Sequence, residues 1–183
     1  MQLADQVSIV TGGGSGIGAA LCRALAAKGA AGVAVVDRNE AAAAAVAAEL
    51  GSRAVAIGCD VGDEAAVNAM VDQVMDRFGR IDILCNNAGI ANDGDILATP
   101  IPIWEQQWQV NVMAHVYAVR AVLPHMLERG SGIIQHTASM AGILTSHGAC
   151  TYATTKAGRR TWPSGRLLPR ERHPGAPVGP CSG

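Results

Sequence analysis

Three polar side chains in the second half of the chain have the types and spacing that a proton-transfer site needs. Twelve residues separate Ser139 from Tyr152, and Lys156 stands four positions after Tyr152. Residues four apart on a helix share a face, and an ammonium beside a phenol favours the phenolate, lowering a pKa that starts at about 10. Such a tyrosine can exchange a proton with an alcohol or ketone oxygen, and Ser139 can hydrogen-bond the same oxygen.

A glycine-rich segment near the N-terminus has the pattern of a loop that binds a pyrophosphate. It follows an apolar stretch typical of a strand, precedes an alanine-rich stretch typical of a helix, and reads Thr11-Gly12-Gly13-Gly14-Ser15-Gly16-Ile17-Gly18. Glycines let the backbone turn sharply and approach a phosphate, and the start of a helix offers unpaired N–H groups and a positive dipole end. The alternative is a purely structural turn, but the strand and helix on either side favour a dinucleotide site.

The acidic residue after the next predicted strand bears on which dinucleotide is bound. Asp37 stands 19 residues after Gly18, where a carboxylate can accept hydrogen bonds from the adenosine ribose and would repel a 2′-phosphate. This favours NAD over NADP, although Arg38 could instead attract that phosphate. The other interpretation of Asp37 is a helix N-cap.

Apolar β-branched runs alternate with alanine-rich stretches along most of the chain, which is typical of repeated βα units. This pattern predicts an α/β fold, a single Rossmann-like domain with a doubly wound parallel sheet covered on both faces. Strands are expected near residues 7–11, 32–37, 53–59, 81–86 and 132–137. Helices are expected near residues 16–28, 39–50, 63–78 and 104–127, the last broken around Asn111.

Composition and charge narrow the classes of partner. The chain has 183 residues, 49% of them hydrophobic, and a net charge of -1, which suits one domain with a substantial core. No Lys or Arg run supports binding to nucleic acid or to an anionic membrane. No apolar run approaches the ~20 residues that span a bilayer, so we expect a cytoplasmic protein.

Cysteines and histidines give no support for a disulfide framework or a metal site. The five cysteines are an odd number without a Cys-x-x-Cys pair, so scattered reduced thiols are expected. His115, His125, His136 and His147 show no ligand spacing supported by a matching cluster. We therefore predict no bound metal.

Taken together, these motifs resemble those of the short-chain dehydrogenase/reductase family. The resemblance runs from the N-terminus to about Ala157 and includes the glycine-rich loop, Asp60-Val61, Asn86-Asn87-Ala88-Gly89, Asn111, and the Ser-Tyr-Lys set. It implies that Asp60 and Val61 border the adenine and that Asn86 and Gly89 steady the central strand. The catalytic tetrad that it implies is Asn111, Ser139, Tyr152 and Lys156. The cofactor-binding residues are then Gly12, Gly14, Ser15, Gly16, Ile17, Gly18, Asp37, Arg38, Asp60, Val61, Asn87, Ala88, Gly89, Tyr152 and Lys156.

The resemblance also implies a function. It predicts an oxidoreductase that transfers a hydride between NAD(H) and a small alcohol or ketone, with Tyr152 as general acid and base and Asn111 holding a proton-relaying water. A purely structural alternative for Asn111 is the satisfaction of backbone groups in a bent helix. Intact family members are expected to form homo-oligomers, whereas this chain lacks part of the expected interface. The substrate loops at residues 90–103 and 141–149 indicate only a modestly apolar pocket.

The composition changes after Ala157, which divides the chain into a predicted NAD(P)-binding domain at residues 1–157 and an irregular tail at 158–183. The tail is rich in Pro, Gly and Arg and holds five of the eight prolines, which prevent a sustained helix or an interior strand. The family has a longer Tyr-Lys helix and a sixth strand here, so we expect the fifth strand to be an exposed edge. Either the tail is divergent or the reading frame has slipped. The alternative function is accordingly an inactive, truncated chain that binds at most the adenosine half of the cofactor.

Overall fold

The computed structural model describes residues 3–92, 94–144, 148–158 and 165–167. Six strands form one sheet in the order β3-β2-β1-β4-β5-β6, and all neighbouring strands are parallel except β5 and β6. The strands are β1 (Val7–Thr11), β2 (Gly32–Asp37), β3 (Ala54–Gly58), β4 (Ile83–Asn86), β5 (Gly132–His136) and β6 (Gly165–Leu167). The order reverses at β1, and the crevice at the carboxyl ends of β1 and β4 is where ligands bind in sheets of this kind.

The helices lie close to the predicted positions. They are α1 (Gly16–Ala27), α2 (Glu40–Leu50), α3 (Glu64–Phe78), α4 (Ile101–Trp108), α5 (Ala114–Arg129) and α6 (Cys150–Ala157). A π-helical turn at Gln109–Met113 joins α4 to α5, which confirms the predicted break around Asn111. The helix α3 begins where Asp63 accepts from two backbone N–H groups and ends at Gly79, whose φ of 71° is left-handed.

Two apolar clusters, one on each face of the sheet, confirm the doubly wound arrangement. Alternate residues of a strand point to opposite faces, so Ile9 belongs to one cluster and Val10 to the other. The helices α3 and α5 pack on the first face through Val67, Met70, Val71, Val74, Ala114, Ala118, Val122 and Met126. The helices α1 and α2 cover the second face through Ala19, Cys22, Leu25, Ala43 and Val46.

The strand β6 corrects one expectation from the sequence. Gly165–Leu167 pairs antiparallel with Gly132–Ile134 of β5, so this half of β5 is not an exposed edge. Three residues are enough for this pairing, because an edge strand forms hydrogen bonds on one side only. None of residues 165–167 is a proline, which would lack a backbone N–H to donate. The other residues of the predicted tail after Gly158 lie outside the described residues.

A buried ion cluster fastens the opposite end of the sheet. Asp82 is 3% exposed and accepts from the Val7 N–H at 2.8 Å and from Arg80 at 2.7 and 2.8 Å, with Arg129 at 3.1 Å. This carboxylate therefore joins β1, β4 and the end of α5, far from the crevice.

The four described cysteines are free thiols, as predicted, and Cys181 lies outside the described residues. Burial raises the pKa of Cys22 to about 12 and those of Cys59 and Cys85 to about 11. These three thiols are therefore protonated at neutral pH. Among the described helices, none is long and apolar enough to cross a membrane.

Candidate active site

A cleft of about 550 Å³ lies at the carboxyl ends of the parallel strands and brings together most of the predicted site. The predicted residues that line it are Gly12, Ser15, Gly16, Ile17, Asp37, Arg38, Asp60, Val61, Asn87, Ala88, Gly89, Ser139, Tyr152 and Lys156. Six further residues line it: Ile90 and Ala91 belong to the predicted substrate loop at residues 90–103, whereas the sequence did not single out Cys59, Val110, Thr137 and Ala138. Gly14, Gly18 and Asn111 do not line the cleft, but each lies beside a residue that does, namely Asp37, Gly12 and Ile90, respectively.

The glycine-rich loop owes its shape to the absence of side chains. Gly12 and Gly16 have φ angles of 66° and 51°, which L-residues with side chains rarely adopt. A Cβ on Gly18 would overlap the carbonyl group of Gly12, so the first turn of α1 can pack directly on the loop. Ser15, the N-cap of α1, makes no side-chain capping bond, and the first turn holds no acidic residue. The start of α1 therefore remains suited to an anionic group.

Asp37 is held in place by backbone donors on both of its oxygens. The Gly14 N–H donates to Oδ2 at 3.0 Å, and the Asn39 N–H donates to Oδ1 at 2.9 Å. The N-cap of α2 is Asn39, whose side chain accepts from the Ala42 N–H, so the capping interpretation of Asp37 is wrong. Arg38 is exposed at the mouth of the cleft.

Thr11 connects the glycine-rich loop to the segment after β4. Its Oγ1 accepts from the Asn87 N–H at 3.0 Å and the Ala88 N–H at 3.1 Å, and donates to the Cys85 carbonyl at 3.3 Å. Asn87 returns the contact by donating to the Thr11 carbonyl at 3.1 Å. The sequence showed this threonine as the start of the loop. Its hydrogen-bond partners could not be predicted, because the sequence does not show which strand lies beside β1.

Tyr152 and Lys156 lie on one face of α6 and both line the cleft, as their spacing predicted. The Lys156 Nζ stands 5.3 Å from the centre of the Tyr152 ring. The lysine side chain is buried, with a residue exposure of 5%, whereas the tyrosine is half-buried. A buried ammonium beside a phenol interacts more strongly than an exposed pair, because less water screens it.

Ser139 reaches the same cleft from the end of β5. It is the N-cap of a 3-10 turn at Met140–Gly142, and its Oγ accepts from the Ala141 N–H at 3.2 Å. That bond uses one lone pair and leaves the hydroxyl hydrogen able to reach a substrate oxygen.

Asn111 is fully buried in the π-helical turn and binds two other segments. Its Oδ1 accepts from the Ile90 N–H at 2.8 Å, and its Nδ2 donates to the Ile90 carbonyl at 2.8 Å and to Thr155 Oγ1 at 3.0 Å. The side chain thus satisfies backbone groups of the loop after β4 and connects them to the helix of Lys156. Gly89 permits this approach, since a Cβ there would come within 3.2 Å of both Asn111 Oδ1 and Lys156 Nζ.

Asn86 lies at the end of β4 and contacts a histidine, a contact that the sequence did not predict. Its Nδ2 lies 3.4 Å from His136 Nδ1, and His136 Nδ1 lies 2.8 Å from His115 Nδ1. Two histidines do not make a metal centre, and no cluster of three or more metal-binding side chains occurs in the described part of the chain.

Known proteins are similar to this chain in sequence and in structure. The family model described as short chain dehydrogenase matches residues 6–164. The meso-2,3-butanediol dehydrogenase of Serratia marcescens is 38% identical over 157 residues, which are 85% of this chain and 62% of that protein.

Two solved structures superimpose on most of the chain. A short chain dehydrogenase/reductase from Burkholderia phymatum in complex with NAD has a TM-score of 0.83 at 30% identity, covering 86% of this chain and 57% of that one. The 3-ketoacyl-(acyl-carrier-protein) reductase of Brucella melitensis, complexed with NADH, has a TM-score of 0.82 at 34% identity, covering 85% and 66%.

The chain spans between about half and two thirds of the length of three curated relatives that it matches. The shared part nevertheless includes the glycine-rich loop, the five parallel strands and the helix of Tyr152 and Lys156. On the match over residues 6–164, the chain belongs to the short chain dehydrogenase family.

Proposed function

We propose that the protein is an NAD-dependent oxidoreductase acting on a small alcohol or ketone. The observation that carries this proposal is the single cleft that runs from Asp37 and the glycine-rich loop to Tyr152 and Lys156. A dinucleotide-binding loop and a proton-transfer pair thus share one cavity. Relatives that bind NAD or NADH in solved structures support the same assignment.

The residues present fit a nicotinamide dinucleotide. The pyrophosphate would lie against Gly12, Gly16 and the start of α1, where the absence of Cβ atoms and of acidic side chains leaves room for an anion. The adenine would lie beside Asp60 and Val61, and the other end would reach Lys156. Once bound, the nicotinamide would supply the hydride acceptor or donor.

The chain's own residues would then handle the proton. Tyr152 would act as the general acid and base on the substrate oxygen, and Ser139 would hydrogen-bond the same oxygen and orient it. Lys156 would stabilise the phenolate by its charge and would also bind the nicotinamide ribose. Asn111 would help to position Lys156, because its hydrogen bonds to Ile90 and Thr155 hold the segments on either side of the lysine.

The preference for NAD over NADP would come from Asp37. Its two oxygens already accept from Gly14 and Asn39, which hold the carboxylate at the edge of the cleft and leave lone pairs for the ribose hydroxyls. A 2′-phosphate placed there would meet a fixed negative charge. Arg38 is exposed and would serve NADP only if that carboxylate were removed. We therefore expect Asp37→Ser to bind NAD more weakly and to discriminate less against NADP.

The test combines cofactor binding with turnover in the whole chain. NADH is titrated into the purified protein by fluorescence, and oxidation of a panel of secondary alcohols by NAD is then followed by absorbance. Tyr152→Phe should abolish turnover and retain binding, because it removes only the phenolic oxygen. Tyr117→Phe is the matched control, since the chain has only one other tyrosine and that one lies on α5.

The outcomes separate the two candidate functions. Turnover that survives in Tyr152→Phe would refute the role of that residue. Binding without turnover in the wild type would instead favour the inactive chain that keeps only cofactor binding. Failure to bind NADH at all would refute the proposal.

A further inference from the structure

Two histidines contact each other next to Thr137, which lines the cleft. His115 on α5 is 2% exposed, and its Nδ1 lies 2.8 Å from Nδ1 of the half-buried His136 at the end of β5. The ring centroids are 5.0 Å apart. That separation is about the distance between the two nitrogens plus the distance from each nitrogen to its own ring centre. The nitrogens therefore face each other end-on, and the rings are not stacked.

Such a contact requires one proton between the two nitrogens. If neither Nδ1 carried a hydrogen, two lone pairs would face each other, and if both carried one, two hydrogens would collide. The Nδ2 of Asn86, 3.4 Å from His136 Nδ1, can only donate. His136 Nδ1 is therefore the acceptor, and His115 carries the hydrogen on Nδ1.

The pair is connected to residues that line the cleft. His136 is followed by Thr137, whose N–H donates to the Asn86 carbonyl at 3.0 Å and whose Oγ1 donates to Asn87 Oδ1 at 3.0 Å. Asn87 in turn binds the glycine-rich loop at Thr11. The imidazole contact therefore fixes the strand end from which the cleft wall at residues 137–139 continues.

We propose that His115 and His136 are positioning residues, and that the single proton between their Nδ1 atoms holds the wall at residues 137–139 in the form that binds the dinucleotide. The inference rests on the proposed function only for the identity of the ligand. The protonation of the pair is a property of the protein itself and can be measured without any ligand.

The helices α3 and α6 also carry ionisable groups. The helix α3 packs on this face through the apolar residues Val67, Met70 and Val71, and its acidic and basic residues are exposed. From α6 the ionisable groups are Lys156 and Tyr152, which line the same cleft as Thr137.

Two further ionisable groups, Cys85 on β4 and Asp82 immediately before it, do not face the pair. Cys85 belongs to the apolar cluster on the opposite face of the sheet, and Asp82 lies four residues before Asn86, at the other end of the strand.

The pH dependence follows from the donor role of His115 and the acceptor role of His136. His115 can take up a further proton at Nε2 and still donate from Nδ1, so the contact breaks only when His136 is also protonated at Nδ1. Dinucleotide binding should therefore weaken at a pH low enough to protonate His136 at Nδ1 while His115 keeps its own hydrogen there. At low pH the Nδ1 contact breaks, and the end of β5 loses its attachment to α5.

The first experiment observes the proton itself. Long-range ¹H–¹⁵N spectra of the whole chain, labelled on histidine nitrogen, should show one residue in the Nδ1–H form at pH 7.5, assigned to His115 by its loss in His115→Gln. Finding both His115 and His136 in the Nε2–H form would overturn the proposal, whatever the protein binds.

The second experiment asks whether the pair acts on ligand binding. Calorimetric titration with NAD should give about tenfold weaker binding for His115→Leu at pH 7.5, the order expected from one lost buried hydrogen bond. His115→Gln can donate an amide hydrogen to His136, so it should recover most of the affinity. His125→Gln, on the same helix outside the pair, is the matched control.

The pH profile separates positioning from simple packing. Wild type and His125→Gln should bind NAD more weakly at pH 5.5 than at 7.5, whereas His115→Gln should show a much smaller change, because a glutamine amide can donate to a neutral His136 and accept from a protonated one. An equal pH dependence in wild type and His115→Gln would overturn the proposal. If NAD does not bind at any pH, the proposed function fails, and the tautomer measurement still decides whether the pair exists.

Discussion

Replacing Thr11 by valine tests whether one hydroxyl group connects the glycine-rich loop to the segment after β4. The two side chains have nearly the same shape, so Thr11→Val removes the Oγ1 acceptor of the Asn87 and Ala88 N–H groups at 3.0 and 3.1 Å without opening a cavity. Thr11 is 3% exposed, so water cannot readily replace the hydroxyl.

The size of the effect follows from the two donors. Each buried donor left without a partner costs about 1–3 kcal/mol, and the added methyl group recovers about 0.8 kcal/mol. Because both N–H groups are only partly buried, we expect a loss of about 2–3 kcal/mol in the free energy of unfolding. The loss should be accompanied by weaker binding of NAD, because Asn87 and Ala88 line the cleft.

Urea unfolding followed by tryptophan fluorescence measures this free energy, with the m-value as a check that both variants unfold in the same way. Thr154→Val is the matched control, because Thr154 is exposed on α6 and its Oγ1 only donates to the Cys150 carbonyl. The control should stay within about 0.5 kcal/mol of wild type. If Thr11→Val also lost no more than that, with an unchanged m-value, the hydroxyl would not be the connection that we infer.

Three further perturbations have expected outcomes. Gly18→Ala should abolish NAD binding, measured by calorimetry, because its Cβ would overlap the Gly12 carbonyl; retained affinity would contradict the packing of α1 on the loop. Asp82→Asn should lower the free energy of unfolding by about 3–5 kcal/mol, since it leaves two arginines beside an uncharged, buried amide. Glu49→Gln, which breaks only an exposed ion pair, should leave the urea midpoint unchanged. Cys59 should resist alkylation at pH 8 in the native chain and react in urea, as peptide mass spectrometry would show, because burial raises its pKa to about 11; equal rates would refute its burial at 5% exposure.

The sequence by itself determined the elements of the fold and most of the residues that meet in the cleft. Apolar runs of strand length and alanine-rich helical stretches are local signals, so the five parallel strands and the helices lie within a few residues of the predicted bounds. The spacing of Tyr152 and Lys156 on one helix, and of the glycines before α1, is equally local. These features needed only the periods of helices and strands and the conformational freedom of glycine.

Only the tertiary structure decided which side chains hold that site together. The bonds from Thr11 to the segment after β4, from Asn111 to Ile90, and between His115 and His136 join residues that are 21 to 77 positions apart. No local pattern encodes such pairs, because they arise from the order of strands in the sheet and from the helix that packs across each strand end. The antiparallel pairing of Gly165–Leu167 with β5 was likewise missed, since a three-residue edge strand is too short to have a period of its own.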